Sequence, residues 1–294
     1  MKKQILLPGL ALGGGVLGFG LRRWQLSSAY LPEEERFLHG APATLALLGV
    51  LALAVLVLAL LLRKGRSFDD FLPAFRCPVP AFMGTMAAAG LLFFGAGVLG
   101  LLESMKQLAL WRMYPASVPL AQPLLLALCS VLCFPAGLAV LALGRAAYRE
   151  QMSRAALLLA SAPGFAGLCW LLSTHLAHGV DPILMHFGFQ LAAAIVLTLA
   201  LYFAICPLFG KPHPRAFLFC ALFGPVLAMT ALADLPSPAT LLRLAAFSLA
   251  ALALAAALLR NAHGQERMPL GADRLNWESA PEQDTEAGQD TETE

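Results

Sequence analysis

Carboxylates are nearly missing from the middle of this chain. Of its 18 Asp and Glu, only Glu103, Glu150, Asp181 and Asp234 fall between residues 80 and 260. Charged residues make up 13% of the 294 positions, about half the share of a soluble domain. A fold in water needs a polar exterior, and this stretch has nothing from which to build one. The shortage excludes a soluble fold and points to lipid as the solvent. Net charge is only +2, so there is no electrostatic case for nucleic acid as a partner.

Other patterns are missing too. The six cysteines are Cys77, Cys129, Cys133, Cys169, Cys206 and Cys220. Five lie in apolar segments and none in a predicted outside loop, which argues against a disulfide framework. There is no nucleophile–base pair, carboxylate dyad, glycine-rich nucleotide loop or acid–His metal spacing. The predicted loops are too short for a soluble catalytic domain. The residues therefore name no catalytic group, no metal site and no cofactor.

What is present is apolar sequence in long runs, 59% of the chain. A helix needs about 20 residues to cross about 30 Å of hydrocarbon. The expected fold is all-α, a polytopic transmembrane bundle of about eight spans near 5–21, 42–62, 80–102, 119–143, 155–174, 183–206, 216–233 and 239–259. Pro42, Pro80, Pro119, Pro182 and Pro238 stand near proposed starts, where a missing N–H costs nothing. Ser237 and Asp181 precede prolines as N-caps, and Gly179 closes the fifth span. Pro135, Pro163 and Pro225 should kink their helices or free carbonyls. Met1-Lys2-Lys3 followed by apolar residues resembles a signal peptide, but no small-x-small cleavage site follows, so it reads as the first span.

Orientation comes from Lys/Arg asymmetry across loops. With the N-terminus inside, 14 of the 20 Lys and Arg fall on the inner side. Both termini are expected in the cytoplasm, with residues 1–260 as the membrane domain and 261–294 as a disordered acidic tail. No internal repeat of the transporter kind is visible.

The stretch Gly18-Phe19-Gly20-Leu21-Arg22-Arg23-Trp24-Gln25-Leu26, with Gly40-Ala41-Pro42-Ala43-Thr44 after it, resembles the opening of uncharacterised multi-pass membrane proteins of anaerobic Gram-positive bacteria. The resemblance covers about 30 residues and implies a bacterial plasma membrane and no particular activity. Size and span count are also similar to membrane anchor subunits of dimethyl-sulfoxide-reductase-type complexes, a likeness of topology without a shared motif.

Candidate ligand-binding residues gather on the expected outer side. His39, His175, His178, Asp181 and His186 all fall near it, with Gln190 one turn deeper than His186. Imidazoles there suit a quinol, haem or metal. The plainer reading is that His175 and His178 complement a helix dipole. His186 is the stronger candidate, since a polar group inside a span needs a partner. Arg22 and Arg23 end the first span and can hold a headgroup, a substrate carboxylate or Glu103; the plainer reading is snorkelling beside the interfacial Trp24. Glu103 is the nearest thing to an intramembrane acid, although Lys106 one turn on neutralises it at a common helical spacing. Gly14 and Gly18 form a GxxxG that indicates helix packing. Cys129 and Cys133 share a face, as a redox or soft-metal pair or, more ordinarily, as small apolar packers.

Polar groups at the interfaces and a nearly bare midplane tilt the expectation to an anchor or scaffold that meets a protein partner or quinol at the outer face. The alternative is a small-molecule transporter with a cavity between proline-kinked helices. Intramembrane hydrolysis or acyl transfer ranks third. The expected partners are the lipid bilayer and, beyond it, a protein partner or a second copy in a homo-oligomer.

Overall fold

The computed structural model describes residues 2–31, 36–38, 40–63, 70–114, 119–178 and 184–262, with side chains at all of these but 2–5 and 184–186. The expected acidic tail, His39, and the Gly179–Pro182 reversal lie outside the described residues, as does the side chain of His186.

The protein is all-α. Among the described residues ten α-helices follow in order: α1 (Lys2–Ser28), α2 (Pro42–Leu62), α3 (Phe71–Phe75), α4 (Pro80–Met113), α5 (Ala121–Arg149), α6 (Arg154–Leu159), α7 (Ala162–Ala177), α8 (Leu184–Ile205), α9 (Pro214–Ala231) and α10 (Pro238–Ala262). Between α1 and α2 a minimal antiparallel hairpin pairs β1 (Tyr30–Leu31) with β2 (Arg36–Phe37). Among the described residues, seven helical segments are long and apolar enough to cross a membrane, and the chain is a multi-pass membrane protein. Helix α1 is not among the seven. At 27 residues it is nevertheless long enough to cross.

The elements differ from the expected spans in instructive ways. Helix α1 runs through Arg22, Arg23, Trp24 and Gln25 rather than ending before them. Helix α4 continues past Leu102 to Met113, so the helix carries Glu103 and Lys106 and runs on beyond them. At 34 residues it is about 51 Å long and outruns the hydrocarbon. Near Pro163 the expected fifth span is split into α6 and α7, whereas Pro135 and Pro225 sit inside unbroken α5 and α9.

Close helix approach depends on missing side chains. A Cβ on Gly137 would stand 2.9 Å from the Gly90 carbonyl oxygen, so α4 and α5 touch through backbone. On α1, Gly14 faces Val226 and Gly15 faces Met229, while a Cβ on Gly18 would overlap the Thr230 hydroxyl. The GxxxG therefore seats α1 against α9. Helices α9 and α10 form the centre: 72% and 61% of their apolar windows are buried, against 22% for the peripheral α2. Trp170, Phe247 and Phe93 pack in tilted contact through this centre, with ring centroids 5.4 and 4.9 Å apart.

Candidate functional site

Ser237, Thr240 and Arg243 stand at the start of α10, and they set the geometry of one end of the bundle. Ser237 caps the helix: its Oγ accepts from the Thr240 N–H at 3.4 Å. The same hydroxyl donates to Glu103 Oε2 at 3.1 Å, linking α10 to the far half of α4. Placing a carboxylate over a helix N-terminus is electrostatically favourable. Two turns further into α10, Arg243 is 2% exposed. Its Nη2 donates to Ser130 Oγ on α5 at 3.2 Å, and the Cys133 thiol lies beside it. Neither neighbour is a carboxylate. The Arg243 Nε has no hydrogen-bond partner among the described residues. A Cβ on Gly100 would stand 2.5 Å from Arg243 Nη2 and overlap Ser130 Oγ, so Gly100 is what lets the guanidinium lie between α4 and α5.

A cavity of about 540 Å³ opens beside these groups. Helix α4 contributes Glu103 and Gln107, and α5 contributes Gln122 and Leu126. From α7 come Ser173 and Thr174, from its C-cap His178, and from α8 Phe187 and Gln190. Tyr30 and the Asp234–Ser237 turn complete the rim, with Thr240 and Arg243 as the α10 wall. The Gln107 Oε1 is buried without a hydrogen-bond partner among the described residues. The His178 ring stacks on Phe187, 4.8 Å between centroids at 9°, as a flat wall. Leu235 on the rim has φ 54°, a left-handed conformation that costs a non-glycine residue about 1–2 kcal/mol.

Behind the rim lies a second buried arginine. Arg22 is fully buried; its Nε donates to Asp234 Oδ1 at 2.8 Å and its Nη1 to Gln25 Oε1 at 2.6 Å. Gln25 Nε2 passes the chain on to Thr44 Oγ1 at 2.8 Å. The Arg22 guanidinium also faces the rings of Phe189 and Phe37, at 4.9 and 5.4 Å.

Of the candidates named from sequence, the structure brings Glu103, His178 and Gln190 together at the cavity. It places Arg22 next to them through Asp234, not through Glu103. It leaves His175 and Arg23 exposed and outside the cavity wall. His186 precedes Phe187 on α8, but its side chain is outside the described residues. Cys129 and Cys133 are buried free thiols, and Cys129 Sγ lies 3.7 Å from the Ala166 carbonyl. The residue that sequence reasoning missed is Arg243, counted there only for topology. The available signal was its cost: an arginine inside an apolar span calls for a function.

No family model, curated protein or solved structure matches the chain.

Proposed function

We propose that this protein is a membrane-embedded receptor or carrier for a small polar solute bearing an anionic group, bound at the Glu103 end of the bundle with Arg243 as the anion anchor. The observation that carries the reading is Arg243 itself: nearly fully buried, lining a cavity, and without a carboxylate partner among the described residues. Burying an unpaired guanidinium is expensive, so such a residue is kept where a ligand supplies the missing charge. A cavity of about 540 Å³ is of ordinary size for a small-molecule site. Polar groups penetrate from the rim into the bundle, which favours solute binding over a purely interfacial anchor.

Finer assignments belong to the same proposal. Counting α1 as a span, because it packs on α9 and α2, gives eight. The 14-to-6 split of Lys and Arg then supports cytoplasmic termini and a cavity open to the outside of a bacterial plasma membrane.

The test is binding to the purified full-length chain in lipid nanodiscs. A panel of small carboxylates, phosphates and sulfonates, with a short-chain quinol, would be screened by thermal shift and then titrated. Anionic solutes should bind wild type and lose about 30-fold or more in Arg243→Met. Equal binding by that variant overturns the reading. The stacked His178–Phe187 pair favours one rival, a quinol head on a flat aromatic wall. Binding of the quinol alone would transfer the site to the anchor class.

A further inference from the structure

The cavity displays two opposite charges that do not meet. Arg243 and Glu103 both line it, yet no ion pair joins them, and neither has another charged partner among the described residues. The remaining charges on the rim cancel, since Asp234 is bound to the buried Arg22. Beside each open charge stands an orphan of matching polarity. The Arg243 Nε is a buried donor without an acceptor, and Gln107 Oε1, one turn beyond Glu103 on α4, is a buried acceptor without a donor. An anion completes the first pair. An ammonium, with three N–H donors and no acceptor, completes the second.

We infer that the ligand of this cavity is a small zwitterion of the amino-acid or short-peptide class, its carboxylate on Arg243 and its ammonium held by Glu103 and Gln107. The inference rests on the reading of Arg243 as an anion anchor and extends it to the other end of the ligand. A solute with only a carboxylate would satisfy Arg243 but leave Glu103 without a counter-charge and Gln107 Oε1 without a donor. A solute with only an ammonium would leave the more deeply buried charge bare. Spacing agrees. Gly100, against which the guanidinium lies, is one turn below Glu103 on α4, a rise of about 4.5 Å; Ser237, which binds Glu103, is six residues before Arg243 on α10, a rise of about 9 Å. Charges one to two turns apart suit an ammonium and a carboxylate bound end to end, with a hydrogen bond at each.

The experiment uses the full-length protein in nanodiscs. The proteinogenic amino acids and a set of simple dipeptides are screened by thermal shift. Each hit is then titrated beside its N-acetyl derivative, which keeps the carboxylate alone, and its C-terminal amide, which keeps the ammonium alone. At least one zwitterion should bind, with both derivatives about tenfold or more weaker. In Glu103→Gln, the zwitterion should fall to the affinity of its N-acetyl form, while that form binds as it does to wild type. Glu103 is half-buried at the rim, and Glu103→Gln keeps an acceptor for Ser237, so the variant is suited to this comparison. An N-acetyl derivative that matches its parent on wild type overturns the zwitterion and leaves the anion anchor standing. An amide that matches its parent overturns both. So does a panel in which neither zwitterions nor carboxylates bind.

Discussion

Arg22 on α1 and Arg243 on α10 are both buried within the bundle, but only Arg22 faces a carboxylate. Arg22 has Asp234 at 2.8 Å, Gln25 at 2.6 Å and two aromatic faces. Arg243 has a serine hydroxyl at 3.2 Å, a thiol beside it and an unpartnered Nε. The first is a closed network that ties α1, the α9–α10 turn and, through Thr44, α2. The second is an open one on a cavity wall. Burial alone therefore does not mark a functional charge; what marks it is burial without compensation. The two regions should respond oppositely when their arginines are removed.

The largest expected effect is on the closed network. Arg22→Met strands Asp234 and the Gln25–Thr44 pair, and should lower stability by about 3–5 kcal/mol, read as a fall in the thermal midpoint in nanodiscs. The double variant Arg22→Met/Asp234→Leu should recover much of the loss, because it removes both charges. Next comes the open site. Arg243→Met should weaken binding of an anionic solute by about 2 kcal/mol or more, while the midpoint of the ligand-free protein holds or rises. If Arg243→Met instead destabilised the empty protein as much as Arg22→Met, the contrast would collapse and Arg243 would be a structural residue.

That contrast was only half legible in the sequence. The helices were visible because lipid imposes long apolar runs and proline marks their starts. Glu103, His178 and Gln190 stood out as polar residues beside such runs. Arg22 and Arg23 could not be told apart: neighbours on a helix point about 100° from each other, so one turns inward and one outward, and only packing decides which. The partner of Arg22 is 212 residues away, and no local spacing announces it. Arg243 was hidden for the same reason. Its niche is assembled from Gly100 on α4 and Ser130 on α5, each of which looks in sequence like an ordinary small residue of a packed membrane helix.

Gly100 offers the next test. A Cβ there would meet the guanidinium and Ser130 together, so Gly100→Ala should displace Arg243 and cost about 1–3 kcal/mol of stability. Solute affinity should fall with it. Gly18→Ala, the matching overlap against Thr230 in the α1–α9 contact, should cost a similar amount without changing affinity. A fall in affinity with Gly18→Ala would show that the two regions are coupled rather than separate.

The smallest effect discriminates most finely. The Ser130 hydroxyl donates to the Leu126 carbonyl at 2.7 Å and accepts from Arg243 at 3.2 Å. If that contact holds the arginine only while the site is empty, Ser130→Ala should cost about 0.5–1.5 kcal/mol of ligand-free stability. The ligand then no longer competes with Ser130 for the guanidinium, so affinity should stay level or rise. Titration and thermal midpoints on the same preparation separate the two quantities. In the closed network the corresponding change, Asp234→Asn, removes a true counter-charge from Arg22 and should cost several times more stability. Equal losses from Ser130→Ala and Asp234→Asn would mean that a neutral hydroxyl compensates Arg243 as fully as a carboxylate compensates Arg22. In that case no uncompensated guanidinium would be left in the cavity for an anion to answer.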